Sequence, residues 1–255
     1  MSARSLLASL LLFASVACAP EGAPDPQLPP LVAASEVADA NLALVTGARE
    51  VVPVEADDPS KGAVEPLVVI VEYSDFQCPH CGRFASALDE LVVAYPDDVR
   101  IVFKQFPLPM HPDAEIGARA ALAARAQGKF WAMHDRLFAN RSSMSRDEVV
   151  GHAKALGLDL PAFEAALDDG STGARVAADK RAGAVIGVRG TPSFFVNGLP
   201  YSGALPPDEL GAVVEQERAL GRRLVEAGSP RAHVPGVIMR AAGKASAAAS
   251  PPSSP

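Results

Sequence analysis

The chain has 255 residues, of which 49% are hydrophobic and 21% charged, so it is long enough for one globular domain of good size. Its formal net charge of −7 gives no basis for expecting nucleic-acid binding, which needs a patch of lysine and arginine. The sequence contains no run of 18 or more apolar residues, so no helix of the mature protein is expected to span a bilayer.

The first 18 residues, MSARSLLASLLLFASVAC, have the pattern of a secretory signal, with a positive start and a short apolar core. The end of this segment, Ser15-Val-Ala-Cys18, resembles the bacterial lipobox, although leucine is usual where this chain has Ser15. Ordinary signal cleavage nearby would leave Pro20 as the first mature residue, which that cleavage tolerates poorly. We therefore expect Cys18 to carry a lipid anchor, with simple secretion or an uncleaved anchor as the alternatives.

A strand–helix–strand unit follows a predicted linker. Residues 19–49 are expected to form this linker, and its Pro-rich start, APEGAPDPQLPP, is expected to be an extended spacer at roughly 3 Å per residue. A strand is possible at 50–54, and the apolar run at 67–73 is typical of a strand buried on both faces. Helical spacing of apolar residues predicts a helix at 78–95, and a second strand follows at 99–106. This order favours a parallel pair of strands.

The second half of the chain shows a series of helical patterns, which are followed by two strand patterns. A helical insertion is predicted at about 107–188. Its helices are expected at 114–126, 130–140, 149–156, from 159 and at 172–186. A capping box at Ser145 and Glu148 opens the helix at 149–156. Strands at 193–196 and 199–202 are joined by Asn197-Gly198, which favours a type I′ turn, and a helix at 206–220 closes the domain predicted for 50–227. Residues 228–255 are rich in Ala, Ser and Pro and are predicted to be a disordered tail.

The stretch DFQCPHCGRF, residues 75–84, contains the one cysteine pair left after Cys18, and this pair has three possible interpretations. A zinc site needs four ligands, and the five histidines show no second cluster at ligand spacing. A structural disulfide between Cys78 and Cys81 would close too small a loop to constrain the unfolded chain much. We therefore interpret the pair as a redox centre in an oxidising compartment and expect neither a metal nor a cofactor.

The position of the pair gives this interpretation a physical basis. Cys78 falls just before the first turn of a helix, where unpaired N–H groups and the helix dipole favour a thiolate. His80 can add positive charge or a hydrogen bond to the same sulfur, and Pro79 suits the first helical position because it needs no N–H partner. Cys81, one turn inside the helix, is expected to be buried and to have a higher pKa. An exposed acidic sulfur with a hidden partner is suited to dithiol exchange.

These motifs, together with VRGTPSFFVNG at 188–198, resemble the DsbA-like branch of the thioredoxin superfamily over roughly residues 50–222. The resemblance implies an α/β, thioredoxin-like fold with an inserted helical domain. It also implies that Pro192 is cis and faces the disulfide, so that the backbone of Thr191 can pair with an extended substrate.

The resemblance further implies that Glu72 is a buried acid beneath the inner cysteine, with a raised pKa and a role in relaying a proton to or from Cys81. An edge-exposed position is the alternative for Glu72. Lys104, in the next strand, is a candidate charge partner for this carboxylate.

The function implied is thiol–disulfide exchange in the cell envelope or periplasm, with disulfides donated to unfolded or secreted proteins that contain cysteine. A membrane redox partner is expected. A reductase or isomerase of the same fold is the main alternative, since isomerase-type relatives often have threonine where this chain has Thr191. A third possibility is a non-catalytic envelope binding module that uses the groove alone.

Overall fold

The centre of the fold is a five-stranded mixed sheet, described in a computed structural model that covers residues 25–26, 28–29 and 44–248, with the backbone alone for 242–248. The predicted signal segment and Cys18 lie outside these residues. The strands are β1 (Ser60–Gly62), β2 (Val68–Ser74), β3 (Val99–Gln105), β4 (Ser193–Val196) and β5 (Leu199–Ser202). They lie in the order β1-β3-β2-β4-β5, and β2 and β3 are parallel while the other neighbours are antiparallel.

Helices cover both faces of the sheet, as a parallel strand pair requires. They are α1 (Pro79–Ala94), α2 (Ala114–Arg125), α3 (Phe130–Ala139), α4 (Arg146–Ala155), α5 (Leu160–Asp168), α6 (Gly170–Val185), α7 (Pro207–Glu226) and α8 (Val234–Ala248). Helix α1 connects β2 to β3, and the five helices α2–α6 lie between β3 and β4. This arrangement confirms the predicted fold class. Across the described part of the chain, no helix combines the length and the apolar character needed to cross a membrane.

Side-chain alternation along β2 divides the core into two faces of the sheet. Val68 and Ile70 belong to a cluster with residues of α1, α7 and α8, whereas Val69 and Val71 belong to a cluster on the opposite face. The two cysteines belong to a third cluster, built mostly from the inserted helices. The cysteine pair therefore lies where the sheet, α1 and the insertion meet.

The predicted disordered tail at 228–255 is wrong for the described residues 228–248. Helix α8 follows a short 3₁₀ turn at Arg231–His233, and its residues Val234, Val237 and Ile238 are completely buried against the sheet cluster. These three residues have the i, i+3, i+4 spacing of an apolar helix face. The high content of alanine, serine and proline in the surrounding segment hid this signal.

Those residues of the predicted linker that the structure describes contact the folded domain, and the extended form of the spacer stays a prediction. The carboxylate of Asp25 accepts hydrogen bonds from the backbone N–H groups of Phe130 (2.5 Å) and Trp131 (3.0 Å). At the other end of the linker, Arg49 forms a buried ion pair with Glu217 at 2.7 Å. Polar partners on the folded domain therefore hold these parts of the linker in place. The possible strand at 50–54 is not formed, and the first strand of the chain is β1, at one edge of the sheet.

Replacing Asp25 with alanine should lower the free energy of unfolding by about 1 kcal/mol, because this carboxylate caps the N-terminus of α3. Lys129, the residue at the cap position of that helix, supplies no side-chain hydrogen bond. Asp25→Asn, which keeps an acceptor oxygen, is the matched control and should retain most of the stability. Denaturant unfolding measures both variants. Equal stability of the alanine variant and the wild type would show that the contact is not a functioning cap.

Candidate active site

The two cysteines are positioned by the start of α1. Cys78 is the N-cap residue, with extended backbone angles (φ −73°, ψ 120°), and Pro79 occupies the first turn. The backbone N–H of Cys78 donates to the carbonyl oxygen of Asp75 at 3.1 Å, which fixes the approach to the helix. Cys81 follows in the first turn with its side chain facing inward, and both cysteines are free thiols. The first turn of α1 therefore places the Cys78 sulfur at the N-terminus of the helix and the Cys81 sulfur in the core beneath it.

Several donors stabilise the thiolate of Cys78. The thiol of Cys81 makes the largest contribution, and together with the backbone N–H of Cys81, the Thr191 side chain and the backbone N–H of His80 it outweighs the effect of burial. The result is that the pKa of Cys78 falls from 9.0 to about 5. When protonated, Cys78 Sγ donates to the carbonyl oxygen of Thr191 at 3.5 Å.

The pKa of Cys81 moves in the opposite direction. Burial is the main cause, since the residue has no exposed surface, and the neighbouring Cys78 and the charge of Glu72 raise the pKa further. The predicted inequality of the two sulfurs therefore has a physical basis in the structure. The prediction that Cys78 is an exposed residue is wrong, because only 4% of its surface is accessible and the flanking core covers the rest.

His80 and Pro79 form the exposed rim of the site. The hydrogen bond that the structure gives the His80 ring is with Arg83, whose guanidinium donates to Nδ1 at 2.9 Å. The backbone N–H of His80 contributes to the lowered pKa of Cys78, and the expected action of the His80 ring on that sulfur stays a prediction. His80 and Arg83 lie one turn apart on the exposed side of α1, so their side chains can pair there.

The second predicted motif lies beside the first. The Thr191–Pro192 peptide bond is cis, and β4 begins at the next residue. Antiparallel pairing of β4 with β2 brings the segment alongside Cys78, with Tyr73 opposite Ser193. The turn residue Asn197 has a positive φ of 46°, as the Asn-Gly signal predicted.

Glu72 is buried on the cysteine side of β2, with 1% of its surface exposed. Burial raises the pKa of its carboxyl to about 7. Lys104 is not its charge partner, and that prediction is wrong. In the parallel register Lys104 stands opposite Tyr73, on the other face of the sheet, where its ammonium pairs with Asp58 at 2.7 Å and Asp179 at 3.5 Å.

Asp75 is a site residue that the sequence reasoning missed. Its buried carboxylate accepts hydrogen bonds from the backbone N–H of Gln77 (2.8 Å) and of Leu108 (2.7 Å), and it pairs with His111 Nδ1 at 2.8 Å. The Asp75 carboxylate therefore joins, by hydrogen bonds, the loop before Cys78 to the segment around Leu108 and His111 that leads into the helical insertion. The signal was a charged residue at the end of an apolar strand, three positions before the first cysteine.

Residues 69–215 match the family model described as the DSBA-like thioredoxin domain. The chain belongs to this family. A solved structure of a thioredoxin-like oxidoreductase from Silicibacter pomeroyi is 31% identical, with a TM-score of 0.60 over 65% of this chain and 94% of that one. A periplasmic thioredoxin-like protein from Salmonella enterica serovar Typhimurium is 24% identical, with a TM-score of 0.57 over 72% and 99% of the two chains.

Longer relatives are found among curated proteins. The DsbA-like chain is 40% identical over 184 residues to Na(+)/H(+) antiporter NhaA 3 of Salinispora tropica, a match that covers 71% of this chain and 28% of the antiporter. A second antiporter, from Herminiimonas arsenicoxydans, is 35% identical over 167 residues. The chain thus spans about a quarter of the length of the curated relatives it matches.

Proposed function

We propose that this DsbA-like protein is an extracytoplasmic thiol–disulfide oxidoreductase that donates disulfides to secreted or envelope proteins through Cys78 and Cys81. The observation that carries the proposal is the pKa of Cys78, lowered to about 5 beside a partner whose pKa is raised. A stable thiolate is a good leaving group. Stabilising the reduced form in this way makes the oxidised form a stronger oxidant.

The reaction proceeds in two exchanges. A substrate thiolate attacks Cys78 Sγ of the disulfide, the bond to Cys81 breaks, and a mixed disulfide forms between the substrate and Cys78. A second substrate thiolate then attacks the substrate sulfur of this mixed disulfide, and Cys78 leaves as a thiolate. The substrate gains a disulfide and the protein is left with two reduced cysteines.

The segment at Thr191 and Pro192 is proposed as the place where the substrate chain lies. The carbonyl oxygen of Thr191 is 3.5 Å from Cys78 Sγ, so a peptide that hydrogen-bonds this backbone would bring its own cysteine close to the sulfur. An extended substrate could pair there with main-chain groups, which tolerate many sequences.

The location and partners belong to the same proposal. The secretory pattern before Cys18 and the periplasmic relative support a place in the cell envelope or periplasm. A lipid on Cys18 would hold the protein at a membrane, where a membrane redox partner would reoxidise the two thiols.

The reduced form should be more stable than the oxidised form near neutral pH. Because the folded-state pKa of Cys78 is about 5 and its ordinary value is 9.0, the thiolate contributes stability that is fully present above about pH 9 and is lost as the pH falls through 5. The stability difference between the two redox forms should therefore shrink across that window. Denaturant unfolding of both forms at several pH values measures it. A more stable oxidised form at neutral pH would favour the reductase alternative.

A further inference from the structure

Several buried polar atoms on β2 and β3 lack a hydrogen-bond partner within the described part of the structure. They are Glu72 Oε1, Ser74 Oγ and both amide atoms of the Gln105 side chain. Leaving a buried polar group unpaired costs about 1–3 kcal/mol, so each one calls for an explanation. Their place next to the redox pair suggests a role in its chemistry.

Strand geometry brings these groups to one side of the sheet. Glu72 and Ser74 are two residues apart on β2, so both side chains point to the face that carries α1. Gln105 stands opposite Ser74 in the parallel register and shares this face. Ser74 is completely buried, at the end of the strand nearest the cysteines.

The hydroxyl of Ser74 acts on both the acid and the inner cysteine. Although it makes no hydrogen bond of ordinary length to the residues that the structure describes, it is near enough to both groups to lower the pKa of the Glu72 carboxyl and of the Cys81 thiol, against the dominant effect of burial. Glu72 itself acts on Cys81 through its charge. The Ser74 hydroxyl is therefore a buried group that neighbours both the carboxyl and the thiol, and its own hydrogen bonds are still unused in the described part of the structure.

We propose that Ser74 relays a proton between the Cys81 thiol and the Glu72 carboxyl, an inference that rests on the proposed function. When a substrate thiolate attacks Cys78 and the Cys78–Cys81 bond breaks, the electron pair of that bond goes to Cys81 Sγ. Cys81 takes the proton of the Ser74 hydroxyl, which in turn takes the proton of the Glu72 carboxyl. The products are the mixed disulfide, a neutral Cys81 thiol and the Glu72 carboxylate. Reoxidation runs the transfer in reverse.

The test is the rate at which oxidised protein forms a mixed disulfide with a reduced cysteine-containing peptide, followed by rapid quenching between about pH 5 and pH 8. General acid–base catalysis typically contributes 10²–10⁴-fold, so Ser74→Ala should slow this step by roughly 10-fold or more. Once divided by the fraction of the peptide present as thiolate, the wild-type rate should fall as the pH rises through 7, the pKa of Glu72, and Ser74→Ala should lose this dependence. Ser74→Thr keeps the hydroxyl and should keep the wild-type profile.

Two further variants separate the relay from a packing role. Ser86→Ala removes a hydroxyl from the exposed side of α1 and should leave the rate unchanged. Ser74→Ala should cause no additional slowing in a Glu72→Gln background, because the two groups act in series.

Either of two results would overturn the relay. One is a wild-type rate and pH profile in Ser74→Ala, and the other is a slower rate that keeps the titration of Glu72. Failure of the proposed function is a separate result, in which the wild type itself forms no mixed disulfide with the peptide.

Discussion

A Cys81→Ala variant is expected to hold its substrate as a stable covalent adduct on Cys78, while catalytic turnover falls to the uncatalysed rate. Cys81 is the neighbouring thiol whose attack would release a mixed disulfide from Cys78, since it lies in the first turn of the helix that Cys78 caps and makes the largest contribution to the lowered pKa of Cys78. The reduced variant should be mixed with a disulfide-bonded peptide at mildly alkaline pH. Mass spectrometry without reductant should then find an adduct on nearly every variant molecule and only traces on the wild type.

The matched control is Cys78→Ala. The remaining Cys81 is completely buried and burial raises its pKa, so it should neither attack the peptide nor carry an adduct. Adducts of equal amount on both single variants would contradict the division of roles between the sulfurs. A Cys81→Ala variant without any adduct would contradict the assignment of Cys78 as the attacking residue.

Replacing Glu72 with glutamine is expected to remove a pH dependence of stability worth about 3 kcal/mol. The pKa of this buried carboxyl is about 7 in the folded protein and 4.5 ordinarily, so the folded state prefers the protonated form. The contribution of Glu72 to the stability of the wild type should therefore fall as the pH rises from about 4.5 to about 7, because the folded protein must then either hold a buried charge or keep a proton that the unfolded chain releases. The glutamine variant is neutral throughout and should gain on the wild type across the same window.

Denaturant unfolding of both proteins in the reduced form measures this difference, since the contribution of Cys78 is common to both. Glu90→Gln, on the exposed side of α1, is the control and should change stability by less than about 0.5 kcal/mol. A difference between Glu72→Gln and the wild type that does not change with pH would show that the carboxyl is not buried as a neutral acid.

The sequence contained strong local signals for most of the fold. The apolar run of β2, the helical spacing of α1 and the Asn197-Gly198 turn each predict their element, because a buried strand, an amphipathic helix and a tight hairpin impose distinct patterns. Strand β1 was missed because Ser60–Gly62 is three residues long and carries no apolar alternation. Helix α8 was missed because the segment is rich in alanine, serine and proline, a composition typical of disorder. This composition received more weight than the helical spacing of Val234, Val237 and Ile238.

The sequence predicted those residues of the candidate site that lie close together in the chain or that match a motif of the family. Cys78 and Cys81 were apparent from their spacing, and Pro192 from the resemblance. The carboxylate of Asp75 was missed because its partners, Leu108 and His111, approach it only through the fold. Lys104 was assigned the wrong partner because the face on which a side chain lies depends on strand register.

The most direct test of the central claim is the pH profile of cysteine alkylation in the reduced protein, with each site quantified by peptide mass spectrometry. Cys78 should react first, with a rate that is half-maximal near pH 5, its pKa in the folded protein. Cys81 should stay unmodified until the protein unfolds, because burial keeps it a thiol. Equal reaction of both sulfurs, or a Cys78 profile centred near its ordinary pKa of 9.0, would contradict a redox centre built on an acidic Cys78.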